Sequence, residues 1–330
     1  MMPGYVCPRC RGTLARSAAA YTCARCAATY PIVSGIPDFR VFPDPWISLE
    51  DDRAKALRVE TMTRDLDFEA SVRAYWEITP DTPRHLVERY VHHVTAAFRR
   101  SREWLETLPV APDRPWVDLG CGTGDLLAAA AARGIPIVGA DIAMRWLVIA
   151  RKRPELRDGR VPLVCCCAEA LPFADGEFAR VTALGLLEHC ADPLAVMREA
   201  RRMLVAGGDV ALRTVNRFTL LAEPHVRVWG VGFVPRSQAD RYVRWRAGGG
   251  GIGYRHHRPI SARELRRAMR AAGLREPRVG AARVLREERA VLGRLGGAMV
   301  PVYSAVRRTP MLRRALSWVA PLLEASAKAP

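Results

Sequence analysis

Short apolar runs alternate with amphipathic segments through the middle of the chain. Five of these runs predict β-strands, at residues 116–119, 136–140, 163–166, 180–184 and 209–214. Apolar residues recur at helical spacing after Gly124, Ala143 and Pro193, so helices are expected between the strands. Strands that alternate with helices form parallel sheets covered by helices. The pattern therefore predicts an α/β fold with a doubly wound, mostly parallel sheet and helices on both faces.

The segments on either side of this region have a different pattern. Residues 48–108 are rich in charged and helix-forming residues and are interrupted near Pro80 and Pro83, which predicts two or three helices. Near the C-terminus, Met311, Leu316 and Leu323 lie on one side of a basic helical pattern. Such a helix packs on its own domain or on a partner, or it lies in a membrane interface.

Four of the nine cysteines form two C-x2-C pairs near the N-terminus. Cys7 and Cys10 are separated by twelve residues from Cys23 and Cys26, a spacing typical of a tetrahedral zinc site. A segment of this size has too small an apolar core to fold unaided, so a bound ion would supply much of its stability. Four thiolates leave no position open for water. A structural zinc ribbon is therefore predicted over residues 1–45.

A glycine-rich loop follows the first predicted strand of the α/β region. Asp118 lies in that strand, and Gly120, Gly122 and Gly124 lie in the turn that opens the next helix. Glycine has no Cβ, so the backbone of such a turn can approach a ligand closely. Asp141 ends the second strand, where a carboxylate can accept hydrogen bonds from both hydroxyls of a ribose. The alternative for Asp141 is an ordinary helix N-cap.

The loop and the segments after it resemble the motifs of class I S-adenosyl-L-methionine-dependent methyltransferases. The matching stretches are D-L-G-C-G-T-G-D from Asp118, G-A-D-I from Gly139, C-A-E-A-L-P-F from Cys167 and L-E-H-C-A-D-P from Leu187. Together with the G-G turn before the fifth strand they cover residues 114–216. The resemblance implies a Rossmann-like fold and S-adenosyl-L-methionine as cofactor. The implied cofactor-binding residues are Asp118, Gly120, Gly122, Gly124, Asp141, Ile142, Ala168, Glu169 and Leu184.

The L-E-H-x-x-D-P segment is similar to ubiquinone-type O-methyltransferases, where it faces the transferred methyl group. There His189 would act as the catalytic base that removes a proton from a phenol or hydroxyl. The alternative is that His189 only orients its loop. Those enzymes carry E-x-x-E-H, with both acids and the histidine implicated in metal binding. Gly185 replaces the first acid here, which puts a metal at this position in doubt, and Cys167 replaces the usual adenine-binding Asp.

The N-terminal segment has a resemblance of its own. Y-P-I-V-S-G-I-P from Tyr30 follows the cysteine pairs and resembles the zinc-ribbon module that accompanies many methyltransferases, including enzymes that act on ribosomal RNA. The resemblance therefore raises RNA as an alternative substrate.

Positive charge is concentrated in the last third of the chain. Residues 1–214 hold 28 basic and 27 acidic residues, whereas residues 215–330 hold 23 and 7, a net charge of +16. This asymmetry favours an anionic partner such as a phosphate, a membrane surface or RNA. Of the 51 basic residues 48 are arginine, a bias that nucleotide composition alone can produce. Residues 217–258 interleave aromatic residues with arginine and are predicted to be a substrate-recognition insertion.

The 330 residues, 49% hydrophobic and 26% charged, exclude a fibrous or wholly disordered chain. The predicted organisation is a zinc ribbon (1–45), a helical segment covering the cofactor and substrate site (46–112), the methyltransferase domain (113–285) and a basic amphipathic tail (286–330). No apolar stretch is long enough to span a membrane and the N-terminus lacks the apolar core of a signal peptide. A cytoplasmic protein is expected, with peripheral membrane contact and a homo-oligomer left open.

Three hypotheses for function follow from these features. The first is transfer of a methyl group from S-adenosyl-L-methionine to a hydroxyl or phenol of a small-molecule or lipid-like acceptor. The second is methylation of RNA. The third is a binding protein that keeps the fold without catalysis, which the departures at Cys167 and Gly185 motivate.

Overall fold

The computed structural model describes residues 4–79, 84–108, 114–247, 254–289 and 293–330. The chain divides into two compact units. The first comprises Met1–Val181, Arg202–Val205 and Leu285–Glu287, and the second comprises Thr182–Arg201, Ala206–Val284 and Glu288–Pro330. None of the helices within the described residues is both long and apolar enough to cross a membrane.

The first unit begins with a small antiparallel sheet. Its four strands follow one another in the order β1-β2-β3-β4 and are β1 (Leu14–Arg16), β2 (Ala20–Cys23), β3 (Thr29–Val33) and β4 (Ile36–Pro37). Phe39 is fully buried, and its ring lies 5.1 Å from that of Tyr21 and 5.3 Å from that of Tyr30. These aromatic contacts supply the small apolar core that the sheet needs.

Three helices follow this sheet, in agreement with the expected two or three. They are α1 (Leu49–Met62), α2 (Phe68–Glu77) and α3 (Arg84–Leu105). The side chain of Ser48 accepts a hydrogen bond from the Asp51 amide and starts α1, and Asp67 does the same for α2 through the Ala70 amide. Polar N-caps of this kind satisfy amides that have no partner within the helix.

The five predicted strands are all present, and the predicted helices begin after Gly124, Ala143 and at Pro193. The elements are β5 (Trp116–Leu119), α4 (Asp125–Ala131), β6 (Ile137–Asp141), α5 (Met144–Ala150), β7 (Leu163–Cys165), β8 (Phe178–Leu184), α6 (Pro193–Met203) and β9 (Leu204–Val215). Strands β5, β6 and β7 pair in parallel and are almost completely buried. Strands that are covered by helices on both faces consist of nearly continuous apolar residues. The apolar runs in the sequence could therefore predict these strands.

The remaining elements complete a seven-stranded, mostly parallel sheet. They are α7 (Arg236–Arg246), α8 (Ala262–Ala271), β10 (Arg275–Ala281), α9 (Arg286–Arg289), α10 (Gly293–Arg308), α11 (Pro310–Val319) and β11 (Leu322–Lys328). The strand order is β10-β11-β9-β8-β5-β6-β7. Ser261 and Glu264 exchange hydrogen bonds at the start of α8 and so form a capping box.

The C-terminus differs from the expected amphipathic helical tail. Helix α11 ends at Val319, and β11 pairs antiparallel with both β9 and β10. Leu323 was assigned to the helical face, but it is a fully buried strand residue. Pro321 lacks an amide hydrogen and interrupts the helix, and burial then alternates with the period of two that strands have.

A network of buried charges holds parts of the first unit together. Asp52 in α1 accepts hydrogen bonds from Nη1 of Arg40 at 2.7 Å and from Nη1 of Arg145 at 2.6 Å. Arg40 also pairs with Asp38 at 2.7 Å, and Arg145 pairs with Asp44 at 2.8 Å. The side chains of Asp38, Arg40 and Asp52 have no exposed surface. Because all five groups are buried, removal of any one of them would leave a buried charge without its partner.

Replacing Asp52 with Ala should destabilise the protein strongly. The change leaves the guanidinium groups of Arg40 and Arg145 buried without their shared carboxylate, which typically costs about 3–5 kcal/mol. Denaturant titration measures the free energy of unfolding. The matched control is Glu50→Ala, an exposed acid in the first turn of the same helix, with an expected change within about 0.5 kcal/mol. Equal changes in the two variants would contradict the role of the network.

Candidate functional site

The four N-terminal cysteines converge as their spacing predicts. Cys7 Sγ lies 3.7 Å from Cys26 Sγ, and Cys10 Sγ lies 3.4 Å from Cys23 Sγ. All four sulfur atoms lie within 4.8 Å of one another. Zinc–sulfur bonds of about 2.3 Å place tetrahedral sulfur ligands about 3.8 Å apart, so this donor set fits a zinc ion.

The environment of Cys7 favours the thiolate that zinc binds. The Tyr30 hydroxyl lies 3.2 Å from its sulfur atom. Burial opposes ionisation of Cys7, but hydrogen bonds from Tyr30 and from backbone amides outweigh it and lower the pKa to about 6.

The glycine-rich loop adopts the backbone conformation that its sequence predicts. Gly120, Gly122 and Gly124 have φ angles of 70°, 50° and 73°, in the left-handed region. The loop starts directly after β5, in which Asp118 is buried, and it ends where α4 begins. Three such residues bend the chain tightly, and nothing lies within 4 Å of a Cβ added at Gly122, so the loop leaves space beside its backbone that suits a bound cofactor.

Asp141 at the end of β6 holds this loop in place. One carboxylate oxygen accepts the Gly122 amide hydrogen and the other accepts that of Ala143, both at 2.7 Å. Ala143 and not Asp141 is the N-cap residue of α5, so the ordinary N-cap alternative was wrong. Burial raises the pKa of Asp141, although the two amides oppose this shift. The carbonyl oxygen of Ile142 accepts a hydrogen bond from Nη1 of Arg40 at 3.0 Å.

The chain after β7 brings the third predicted segment to the same strand ends. Ala168 and Glu169 are half-buried. Cys165, Cys166 and Cys167 are all buried, in agreement with a role as small apolar residues. The thiol of Cys167 donates a weak hydrogen bond to the Phe42 carbonyl oxygen at 3.5 Å. Cys167, which replaces the usual adenine-binding Asp, thus contacts the segment that follows the small sheet.

Two predicted site residues belong to the second unit. Leu184 ends β8, and His189 ends a short 3-10 helix that starts at Leu187. The neighbouring Glu188 is buried, and its carboxylate accepts a hydrogen bond from the Thr214 hydroxyl at 2.7 Å. Its carbonyl oxygen accepts the Arg258 amide hydrogen at 2.6 Å. These bonds fix the loop that carries His189.

The second unit also brings together three histidines that the sequence analysis did not connect. One ring nitrogen from each of His189, His225 and His257 lies within 4.8 Å of the others. His225 and His257 lie within residues 217–258, the predicted substrate-recognition insertion, but the sequence predicts no separate role for either residue. No local spacing joins the three, because they lie in different loops of the chain.

Two of these imidazoles, those of His225 and His257, have their pKa shifted by their surroundings. His225 Nδ1 lies 2.6 Å from the buried Glu223 carboxylate. Burial opposes the charged form of His225, but this contact raises its pKa. Burial and the neighbouring His225 and His189 lower the pKa of His257 to about 3, so its ring is neutral at physiological pH.

A cavity of about 830 Å³ lies within the second unit, next to His257. It has an apolar side that includes Val231, Val234 and Ile260. Its charged lining consists of six arginines and three acids: Arg217, Arg236, Arg241, Arg244, Arg255, Arg258, Asp192, Asp240 and Glu264. The volume is that of a small-molecule site, and the excess of arginine makes its wall positive.

Comparison with known proteins agrees with the motif resemblance. Residues 117–212 match a family model described as a methyltransferase domain. A ubiquinone biosynthesis O-methyltransferase from Idiomarina loihiensis is 34% identical over 162 residues, covering 48% of this chain and 61% of that protein. One from Pseudomonas aeruginosa is 35% identical over 119 residues, covering 34% and 50%. The chain thus spans between half and two thirds of the length of these relatives.

Solved structures give a weaker likeness. An S-adenosylmethionine-dependent methyltransferase from Mesorhizobium loti is 19% identical, with 70% of this chain and 99% of that chain covered and a TM-score of 0.46. The predicted resemblance to methyltransferases therefore rests on the matched domain and the curated relatives.

Replacing Gly124 with Ala should lower the free energy of unfolding. The loss should exceed the part that the left-handed backbone conformation alone accounts for. An added Cβ would lie 2.8 Å from Leu156 Cδ1 and 3.1 Å from Ala150 Cβ. We expect about 1–2 kcal/mol from the left-handed φ and a further loss of about 1–3 kcal/mol from overpacking. Denaturant titration measures both losses.

Gly134→Ala provides the matched control. Gly134 has a φ of 68°, but nothing lies within 4 Å of its added Cβ. The Gly134→Ala variant should therefore lose only the part of the free energy of unfolding that comes from the left-handed φ. Equal losses in the two variants would exclude close packing as the reason for glycine at position 124.

Proposed function

We propose that this protein is an S-adenosyl-L-methionine-dependent methyltransferase that transfers a methyl group to an oxygen atom of a small or lipid-like acceptor. The observation that carries the proposal is the glycine loop bound by Asp141, within a segment that matches a methyltransferase domain. The ubiquinone-type relatives support oxygen as the acceptor atom.

The cofactor would bind at the strand ends of the first unit. Asp118, Gly120, Gly122 and Gly124 would contact its methionine and ribose part, and Asp141 with Ile142 would flank the ribose. Ala168 and Glu169 would border the adenine. The resemblance also implies a role for Leu184, which ends β8 and belongs to the second unit. Two backbone amides hold the Asp141 carboxylate at the end of β6, and a carboxylate has lone pairs for further hydrogen bonds, which supports this assignment.

The reaction needs a deprotonated acceptor oxygen. S-adenosyl-L-methionine, when bound, would supply the methyl group to that oxygen and leave as S-adenosylhomocysteine. His189 is the proposed catalytic residue, because it follows Glu188 in the family motif and an imidazole can take up the proton near neutral pH.

The cavity in the second unit supports an acceptor with an apolar body and an anionic group. Arginine binds carboxylate and phosphate in a planar, bidentate manner, and the valine and isoleucine side would accommodate a ring or chain. A concave site of this volume favours a small acceptor over RNA, which needs an extended surface.

We also propose that the four cysteines hold a structural zinc ion. The sulfur–sulfur distances and the absence of a further ligand position support this role over a catalytic one.

Replacing Asp141 with Ala should weaken binding of S-adenosyl-L-methionine by at least about tenfold, the loss expected for one charge-assisted hydrogen bond or more. The variant loses the proposed ribose acceptor and also frees the Gly122 amide. Calorimetric titration with S-adenosyl-L-methionine and S-adenosylhomocysteine measures the affinity. Asp158→Ala is the control, since Asp158 is a surface acid paired only with the neighbouring Arg160 among the contacts seen. Unchanged affinity in Asp141→Ala would exclude the assignment.

Replacing His189 with Ala should lower the rate of methyl transfer by about 10²–10⁴-fold with little change in cofactor affinity, since a proton acceptor acts mainly in the transition state. Single-turnover transfer from labelled cofactor to phenolic acceptors bearing a carboxylate or phosphate measures this rate. His256→Ala, which removes a histidine outside the cluster, should leave the rate nearly unchanged. If His189→Ala reacts at the wild-type rate, His189 has no part in the chemistry.

A further inference from the structure

The histidine cluster has a geometry that a purely packing role does not require. The His225 and His257 rings are stacked, with centroids 4.4 Å apart, and His189 meets both rings edge-on at 4.9 Å and 5.2 Å. Stacking alone brings ring faces together but does not direct a nitrogen atom of every ring to one point. Here one nitrogen from each ring lies within 4.8 Å of the other two.

A buried carboxylate orients one member of the cluster. Glu223 Oε1 lies 2.6 Å from His225 Nδ1, and Glu223 Oε2 accepts the amide hydrogens of His225 and Val226. The contact at Nδ1 fixes the tautomer and leaves Nε2 available as a ligand. Carboxylates that bind the outer nitrogen of a metal-ligating histidine have this arrangement.

The other two members are held by a direct link between their loops. The carbonyl oxygen of Glu188 accepts the Arg258 amide hydrogen at 2.6 Å, so the residues next to His189 and His257 are joined. The His257 amide in turn donates to the Tyr254 carbonyl oxygen at 3.2 Å. The three imidazoles are therefore positioned by the fold before any ligand binds.

We propose that His189, His225 and His257 form a second metal site, which binds a transition-metal cation of the zinc type. Zinc accepts imidazole nitrogen at about 2.0–2.1 Å, which requires the rings to move slightly closer together. Among the described residues the converging set contains no carboxylate, whereas Mg²⁺ and Ca²⁺ prefer oxygen ligands. His225 and His257 lie outside the E-x-x-E-H loop, so this ligand set differs from the one in that motif.

A three-histidine site differs chemically from the four-cysteine site. Three protein ligands leave a coordination position open for water or substrate, which is the arrangement of catalytic zinc. His257 also lines the arginine-rich cavity, so that position is accessible to a molecule bound there. A cation at this point would lower the pKa of an acceptor hydroxyl, whose proton then passes to water, and His189 would be a ligand instead of a base. This catalytic role rests on the proposed methyl transfer, whereas metal binding does not.

The test is the metal content and the Co²⁺ spectrum of the full-length protein. Wild type is reconstituted with Zn²⁺ or Co²⁺, dialysed and analysed by elemental analysis. We expect two ions per chain. Thiolate-to-Co²⁺ charge-transfer absorption reports the four-cysteine site, and a second set of d–d bands without this absorption reports the histidines. Mg²⁺ at the same concentration should not displace the second ion.

Two variants and one control make the assignment specific. His225→Ala and His189→Ala should each retain one ion and the full thiolate absorption, and His256→Ala should retain both ions. His189 lies in a loop at the end of a short 3-10 helix, so its variant is expected to fold even if His225→Ala does not. Circular dichroism checks the fold of each. One ion per chain in wild type, or two in His189→Ala, would overturn the site.

Activity separates the metal site from the proposed function. If two ions bind and no acceptor is methylated, the metal site stands and the proposed function fails. If wild type stripped of the second ion methylates at its full rate, the catalytic role of the metal is overturned. A rate that returns when Zn²⁺ is added to the stripped wild type, but not to His225→Ala, supports that role.

Discussion

The buried network around Asp52 is the constraint on which the first unit depends. Asp38, Asp44 and Asp52 are matched by Arg40, Arg145 and the partly exposed Arg53, so the buried charges balance. Burial opposes the charged form of Arg40, but its carboxylate partners raise its pKa, and Asp38 has its pKa lowered in return. An ion pair of this kind adds little stability over an apolar core, but it tolerates only one arrangement of its members. That arrangement fixes how the N-terminal segment, α1 and α5 meet.

The same network reaches the proposed cofactor site. Arg40, just after the small sheet, donates to the carbonyl oxygen of Ile142, and Asp52 accepts the amide hydrogen of Met144. Asp141, which binds the glycine loop, lies directly before these two positions. The Phe42 carbonyl accepts the thiol of Cys167 at the end of the next segment. The zinc-ribbon segment is therefore not a separate appended module, since its last residues support the ends of β6 and β7. Loss of the proposed zinc ion would therefore disturb the glycine loop as well as the small sheet.

The sequence predicted those features that depend on neighbouring residues. The five strands are short apolar runs, and the four cysteines have a fixed spacing, so both were confirmed. The network around Asp52 and the histidine cluster join residues that are far apart in the chain. No local sequence pattern predicts such contacts. The strand β11 was missed because the helical spacing of apolar residues continues to Leu323. Pro321 was the signal that could have corrected this, since a helix rarely continues through proline.

The loop after β8 keeps two residues of the E-x-x-E-H motif, Glu188 and His189, but the groups around them differ from those of the motif. Glu188 remains, but its carboxylate accepts a hydrogen bond from Thr214, and Gly185 offers no side chain where the related motif has an acid. The groups that converge on His189 come instead from positions 225 and 257, within the segment that also lines the arginine-rich cavity. In this unit, the six cavity arginines that would recognise the acceptor and two of the three histidines that would bind the metal therefore belong to the same insertion, residues 217–258. A change in that insertion would alter acceptor recognition and the metal ligands together, because both depend on its position.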